Sequence, residues 1–233
     1  MNKRKPFCII PARGGSKRFP RKNITPLQGK PLLAWSIDPA LESGLFEEVW
    51  VSSEDEEILD VAEKWGGRAL RRSPDLAGDK AALEPVCRAA VDFVRAQDPD
   101  LTDLFLMLPT SPFRTCENIR VTWATFTRSG ADALMSVIRY PHPPQWAMTL
   151  KEEQWLTPYD WDGYYSERQD LRPLYRHDGA YFISNIDRFL ETGLLMGPKT
   201  IAFPTGGMES VDIDEPMDLA WAEFLLSRKG VGV

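Results

Sequence analysis

Between Pro11 and Asn23 the chain reads Pro-Ala-Arg-Gly-Gly-Ser-Lys-Arg-Phe-Pro-Arg-Lys-Asn, a run that joins a glycine pair to a cluster of positive side chains. Gly14 and Gly15 let the backbone turn freely and present its N–H groups, and the lysines and arginines supply charge. That combination suits the cradling of phosphate oxygens. The local charge is the reverse of the whole chain's. Lys3, Arg4, Lys5 and Lys30 add to the loop's cations and no Asp or Glu precedes Asp38, yet the formal net charge is -6. A basic loop kept for solubility has a similar composition; the glycine pair, set directly after the apolar run Phe7–Ile10, is what favours phosphate binding.

Two further stretches carry chemistry of their own. Near the end, Glu209-Ser-Val-Asp-Ile-Asp-Glu-Pro-Met-Asp218 alternates Asp212, Ile213 and Asp214, so an extended backbone turns both aspartates to one face. Two such carboxylates suit a hard cation whose other oxygens come from a phosphate. They also suit the electropositive start of a helix opening at Pro216. In the middle, Pro109-Thr-Ser-Pro-Phe-Arg114 follows an apolar run and reads as a binding loop or as a rigid turn before a helix. Nucleotide phosphates need cations and a divalent ion needs anions, so the opposed charge of the two chain ends links the first motif to the last.

Composition excludes several classes of protein. At 233 residues the chain fits one domain, 1–233, with a full core. No apolar run approaches the roughly 20 residues of a membrane span, and the charged start lacks a signal peptide's apolar region. A cytoplasmic protein with no membrane partner is expected. Cys8, Cys87 and Cys116 are odd in number and widely spaced, which suits core packing rather than disulfides or zinc. His142 and His177 are too few for a histidine metal cluster, so any metal would be a hard cation on carboxylates. Basic charge confined to one loop of an acidic chain argues against a nucleic-acid partner.

The elements that must position these residues alternate short apolar runs with helical patterns, the signature of parallel strands joined by crossovers. Strands are expected at Phe7–Ile10, Glu48–Ser52, Arg68–Arg72, Asp103–Leu108, Ala133–Ile138, Asp178–Ser184 and Thr200–Phe203. Helices are expected at Pro31–Asp38, at Ser53–Trp65 with Ser53 as cap, at Ala81–Gln97, Glu117–Arg128 and Pro216–Leu226, with a short one ending near Gly193. Ser73–Lys80 reads as a loop. The carboxyl ends of the strands would bring the basic loop and Pro109–Arg114 to one rim, where ligands of open α/β sheets gather. From Tyr140 to Asp178 the texture turns aromatic and proline-rich, and a dimer contact accounts for exposed aromatics there.

The run Ile9–Asn23, with Pro109–Arg114, Arg168-Gln-Asp-Leu171 and Asp212-Ile-Asp214, resembles the acylneuraminate cytidylyltransferases, or CMP-sialic acid synthetases, over nearly the full length. The resemblance implies a Rossmann-like nucleotidyltransferase, α/β with a mostly parallel central sheet, flanking helices and a small protruding dimerisation segment at 140–178. It implies CTP and Mg²⁺, a nine-carbon 2-keto sugar acid as partner substrate, and a homodimer. By position it makes Arg13 and Lys22 catalytic phosphate contacts and sets Ala12, Gly14, Gly15, Ser16 and Asn23 about the nucleotide. Pro109, Thr110, Ser111, Arg168, Gln169 and Asp178 fall at the sugar, with Arg168 near its carboxylate, and Asp212 and Asp214 at the metal.

Three departures fall on the sugar side: Leu108 where many members have Gln, Asp178 where they have Asn, and Gln145 where a lysine is usual. A leucine cannot hydrogen-bond a hydroxyl or amide. The departures imply a sugar acid other than N-acetylneuraminate, such as a legionaminate- or pseudaminate-like one. The rival readings are a nucleotidyltransferase for Kdo or a sugar 1-phosphate, and a regulator that binds nucleotide without turnover.

Overall fold

The structure is a computed structural model that describes residues 4–78, 82–152 and 154–228. In chain order its elements are β1 (Pro6–Pro11), β2 (Pro26–Leu27), β3 (Lys30–Pro31), α1 (Ala34–Glu42), β4 (Val49–Ser53), α2 (Glu56–Lys64), β5 (Arg68–Arg71), α3 (Leu83–Arg95) and β6 (Asp103–Leu106). There follow α4 (Cys116–Ser129), β7 (Ala133–Arg139), β8 (Met148–Lys151), β9 (Trp155–Pro158), α5 (Trp161–Tyr164), β10 (Tyr175–Asn185), α6 (Ile186–Thr192), β11 (Thr200–Pro204) and α7 (Pro216–Ser227). Ala81, expected to open α3, and Asp79 and Lys80 of the preceding loop lie outside the described residues.

Seven strands form the central sheet in the order β11-β7-β10-β6-β1-β4-β5. β1 pairs in parallel with β4 and β6, β4 with β5, and β7 with β11. β10 runs antiparallel between β6 and β7. The period of two puts alternate residues of β1 into different layers. Cys8 and Ile10 pack with Leu33, Ile37, Ile58, Ile119 and Phe126 on the α1, α2 and α4 side. Phe7 and Ile9 pack with Val91 and Phe189 on the α3 and α6 side. Burial on both faces is why β1 and β6 read as unbroken apolar runs. Cys8 and Cys87 are buried in these layers, and Cys116 at the start of α4 is half-buried.

Several expectations are corrected. Pro31 does not open a helix, because Gln28 and Gly29, both at positive φ (51° and 76°), turn the chain into the small β2–β3 hairpin. α1 therefore starts at Ala34 and runs past Asp38 through Pro39. Ser53 is spent as the last residue of β4; the cap of α2 is Asp55, whose carboxylate accepts from the Ile58 N–H. β10 begins at Tyr175, so residues 175–178 belong to the sheet, and it breaks register with β7 between His177 and Phe182.

At that break Gly179 has φ +80°, and its backbone lies against Leu108: a Cβ there would meet the Leu108 Cδ1 at 3.1 Å. The Leu108 N–H donates to the Gly179 carbonyl. Gly179→Ala therefore forces a left-handed conformation on a residue with a side chain and should cost about 1–2 kcal/mol. Urea unfolding checks this, and a variant as stable as the parent overturns it.

Candidate active site

The strand order reverses at β1, since the chain crosses from β1 to β4 on one side and places β6 on the other. The crevice at the carboxyl ends of β1 and β6 is where such sheets hold ligands. The loop after β1 and the loop after β6 both open here. Ala12 continues the ladder by donating to the Ser52 carbonyl, and Met107 donates to the Ile9 carbonyl. The last motif is brought to the same rim by the Ile213 N–H, which donates to the Thr110 carbonyl at 2.8 Å. Ile213 is fully buried in a separate apolar cluster with Leu27, Leu32, Phe113 and Ala222. An apolar peg thus sets the two flanking aspartates.

Those aspartates differ in environment. The Lys22 ammonium lies 2.8 Å from the Asp214 carboxylate, and chiefly for that reason the Asp214 carboxyl sits below the usual carboxylate range, with Arg18 and Arg13 acting in the same direction. Burial pushes Asp212 up, helped by the negative charge of Asp214, although a hydrogen bond with the Thr110 side chain, Lys22 and Arg176 oppose the shift. Among the described residues no group of three or more His, Cys, Asp or Glu side chains gathers to hold a metal. Two carboxylates with positions left for phosphate and water oxygens are the donor set that Mg²⁺ takes at phosphate sites.

The loop of residues 12–23 is strapped to the end of β4. Gly14 does not offer its N–H to solvent; it donates to Glu54 Oε1 at 2.7 Å. A Cβ on Gly14 would lie 2.5 Å from Asp55 Oδ2, so glycine is required by close packing here, whereas Gly15 faces open space. Arg21 is ion-paired with Asp55 and Glu57, and Arg18 with Glu215 at 3.6 Å. Asn23 is buried and donates to the Arg13 carbonyl, and its Oδ1 has no protein partner. Ser16 is half-buried beside these residues in the chain.

On the other loop Pro109 and Ser111 are buried, and Ser111 approaches the Asp178 carbonyl at 3.5 Å. The Asp178 carboxylate faces inward, where it accepts from the Ser136 and Thr205 hydroxyls and the Ala180 N–H. Arg168 and Gln169 are exposed on the extension. Arg168 donates to the Pro141 carbonyl rather than pairing with Glu167 or Asp170, and no described hydrogen bond joins Arg168 or Gln169 to the rim. Gln145 donates to the Arg172 carbonyl in the same extension.

Sequence reasoning missed three contributors. Arg176, whose charge reaches Asp212, lies on β10 just before the strand expected at Asp178. Glu54, in an acidic run at the start of a helix, carries no local sign of its contact with Gly14. Arg114, the end of the Pro109–Arg114 motif, is buried and donates to the Ala180 and Leu108 carbonyls and to Ser36, clasping the second loop to β10.

A glycine-containing cationic loop, a carboxylate pair and a switch-point crevice are together the parts expected of an α/β nucleotide-transferring enzyme. A profile described as cytidylyltransferase matches residues 7–192. Pseudaminic acid cytidylyltransferase of Campylobacter jejuni is 35% identical over 222 residues, 95% of this chain and 96% of the relative. CMP-N,N'-diacetyllegionaminic acid synthase of Legionella pneumophila is 33% identical over 94% of this chain and 95% of its own length. The structure of a CMP:2-keto-3-deoxy-manno-octonic acid synthetase complexed with CTP superposes with a TM-score of 0.71 at 15% identity, over 97% of this chain and 99% of that one, a likeness of fold. The chain belongs to the cytidylyltransferase family.

The strap at Asp55 has a pH signature. Burial raises its carboxyl, but the Arg21 guanidinium and the Ile58 N–H outweigh this and leave it below the usual range. A depressed folded value stabilises above the unfolded value of about 4 and is lost as pH falls through the folded one. Asp55→Asn keeps a helix cap and removes the charge. Its stability deficit against the parent should be full at pH 7 and shrink progressively below about pH 4 in urea titrations. A deficit that grows in acid overturns the assignment.

Proposed function

We propose that the chain couples CTP to a nonulosonic acid, a nine-carbon 2-keto sugar acid, giving a CMP-sugar and pyrophosphate. The observation that carries this reading is the Lys22–Asp214 contact. It joins a cationic loop to a carboxylate pair at the crevice, in a chain whose full-length relatives are named for this chemistry.

In the proposed reaction the anomeric hydroxyl of the sugar attacks the α-phosphorus in line. The new C–O–P link forms as the bond from the α-phosphorus to the bridging β-phosphate oxygen breaks, pyrophosphate leaves, and the hydroxyl proton passes to solvent. Arg13 and Lys22 stabilise the charge that grows on the phosphoryl oxygens, and Asn23 stands beside the nucleotide and holds the Arg13 carbonyl. Mg²⁺ held by Asp212 and Asp214 would neutralise phosphate charge and assist pyrophosphate departure. Lys22 and Asp214 hold each other until a triphosphate and a cation exchange for them. Arg168, with its bidentate fork, receives the sugar carboxylate, and from the extension it can serve its own subunit or a neighbour's. Leu108 offers apolar surface at the sugar side, which supports a pseudaminate- or legionaminate-like acid. A reaction that consumes a nucleoside triphosphate is the support for a cytoplasmic enzyme. No described helix is long and apolar enough to cross a membrane.

We also propose a homodimer built on the extension. Leu150, Trp155, Leu156, Tyr159, Trp161 and Tyr165 are all exposed on and beside the β8–β9 hairpin, a cluster of apolar area that a second copy would cover. Sedimentation should show a dimer, and Leu150→Glu with Leu156→Glu should give a folded monomer. A parent that sediments as a monomer overturns this.

Pyrophosphate release measured with CTP across a panel of nonulosonic acids tests the activity. Pseudaminate- or legionaminate-like acids should turn over fastest, and Lys22→Ala should lower the rate on the order of a hundredfold or more. Turnover with GTP or UTP and a sugar 1-phosphate, or best turnover with N-acetylneuraminate, overturns the substrate assignment.

A further inference from the structure

The peptide unit between Arg13 and Gly14 is gripped on both edges. Its carbonyl, on Arg13, accepts from Asn23 Nδ2 at 2.8 Å. Its N–H, on Gly14, donates to Glu54 Oε1 at 2.7 Å. A planar peptide held at both polar atoms cannot rotate about the bonds that flank it, and the bond on the Arg13 side sets where that residue's side chain leaves the backbone. The loop has no helix or strand between Pro11 and Lys22 to do this instead.

The Glu54 grip is itself supported. Its second oxygen, Oε2, accepts two bonds from one guanidinium, Arg72 Nε at 3.0 Å and Nη2 at 2.8 Å. The Arg72 side chain is 6% exposed, and its backbone N–H is fixed on the Ser53 carbonyl. Both bonds fall on one oxygen, so they anchor Oε2 by charge-assisted hydrogen bonds, and the Gly14 N–H takes the other oxygen, so that the carboxylate is held at both ends. Burial acts against the charge of Glu54, yet Arg72 and the backbone N–H groups keep its carboxyl below the usual range. The neighbouring Asp55 presses against the Cβ side of Gly14, so any swing of the loop toward α2 is blocked sterically.

We infer that Glu54, braced by Arg72, is a positioning residue that fixes the Arg13–Gly14 peptide and so aims Arg13 at the nucleotide phosphates. The inference rests on the proposed role of Arg13. Glu54 itself touches no reacting atom: its two oxygens are committed to the loop and to the brace. It makes the fine placement of a catalytic cation depend on two residues that directly follow β4 and β5, and displacement of a reacting group by about 1 Å can cost about a hundredfold in rate.

A double-mutant cycle on kcat/KM for CTP tests this. Glu54→Leu combined with Arg72→Leu removes both charges of the pair together, so that the buried Arg72 is not left unpaired, and should lower kcat/KM by roughly ten- to a hundredfold. Adding Arg13→Ala to that pair should cost no more than Arg13→Ala alone, because the brace acts through Arg13. Glu54→Asp, one methylene shorter, keeps a carboxylate for Arg72 and should unfold like the parent while losing about tenfold, which guards against a misfolded double variant. Multiplying losses in the cycle, or full activity in Glu54→Asp beside a crippled Arg13→Ala, overturns the inference alone. A fully active Arg13→Ala overturns the functional reading beneath it.

Discussion

An ion pair between residues 192 positions apart, Lys22 and Asp214, is the contact that turns two charged stretches into one site. The lysine side chain is only 11% exposed, whereas the aspartate is about half exposed. Withdrawing an ammonium that far from water is costly without an anion, so the loop needs the carboxylate as much as the carboxylate needs the loop. Neither charge chooses its place. Ile213, between the two aspartates, is driven into an apolar cluster with Leu27, Leu32 and Phe113, and burial of that one side chain sets where both carboxylates stand.

The same dependence of charge on packing runs through the second loop. Arg114 is buried with no carboxylate of the described residues on its guanidinium; burial pulls its pKa down, and two carbonyls and a serine hydroxyl satisfy most of its donors. Its Nε is left without a partner. A polar group this enclosed is tolerated only where the bonds it does make hold something in place. What it holds is the Leu108 carbonyl on one side and the Ala180 carbonyl on the other, the seam between β6 and the antiparallel β10. Asp178 serves that seam too, since its carboxylate is committed to Ser136, Thr205 and Ala180.

The strands and most helices were legible because burial on both faces of a parallel sheet leaves unbroken apolar runs and because Gly66 and Gly193, both at positive φ, stop their helices. What escaped reading was non-local. The cap of α2 passed from Ser53 to Asp55 because pairing with Arg71 on β5 carried β4 one residue further. The direction of β10 depends on which strands flank it, and a local pattern does not encode that. At the site, the two chain ends could be matched by charge alone. The Glu54 contact could not be, because its partners lie 40 residues upstream at Gly14 and 18 downstream at Arg72. In an acidic run at a helix start, it looks like any other carboxylate favoured by the helix dipole.

These pairings bear on what the loop can accept. Arg18, Arg21 and Lys22 each meet a carboxylate of the same chain, and the Gly14 N–H does so as well. The loop thus stands with much of its charge compensated from within, which lets a strongly basic segment persist in an acidic protein without recruiting stray anions. A single small anion gains one contact and must break one of these to do so. In the proposed reaction a triphosphate would reach several at once and its counter-ion would take over the released Asp214, so the exchange would favour a metal-bound polyphosphate over a monovalent anion by number of contacts rather than by the strength of any one.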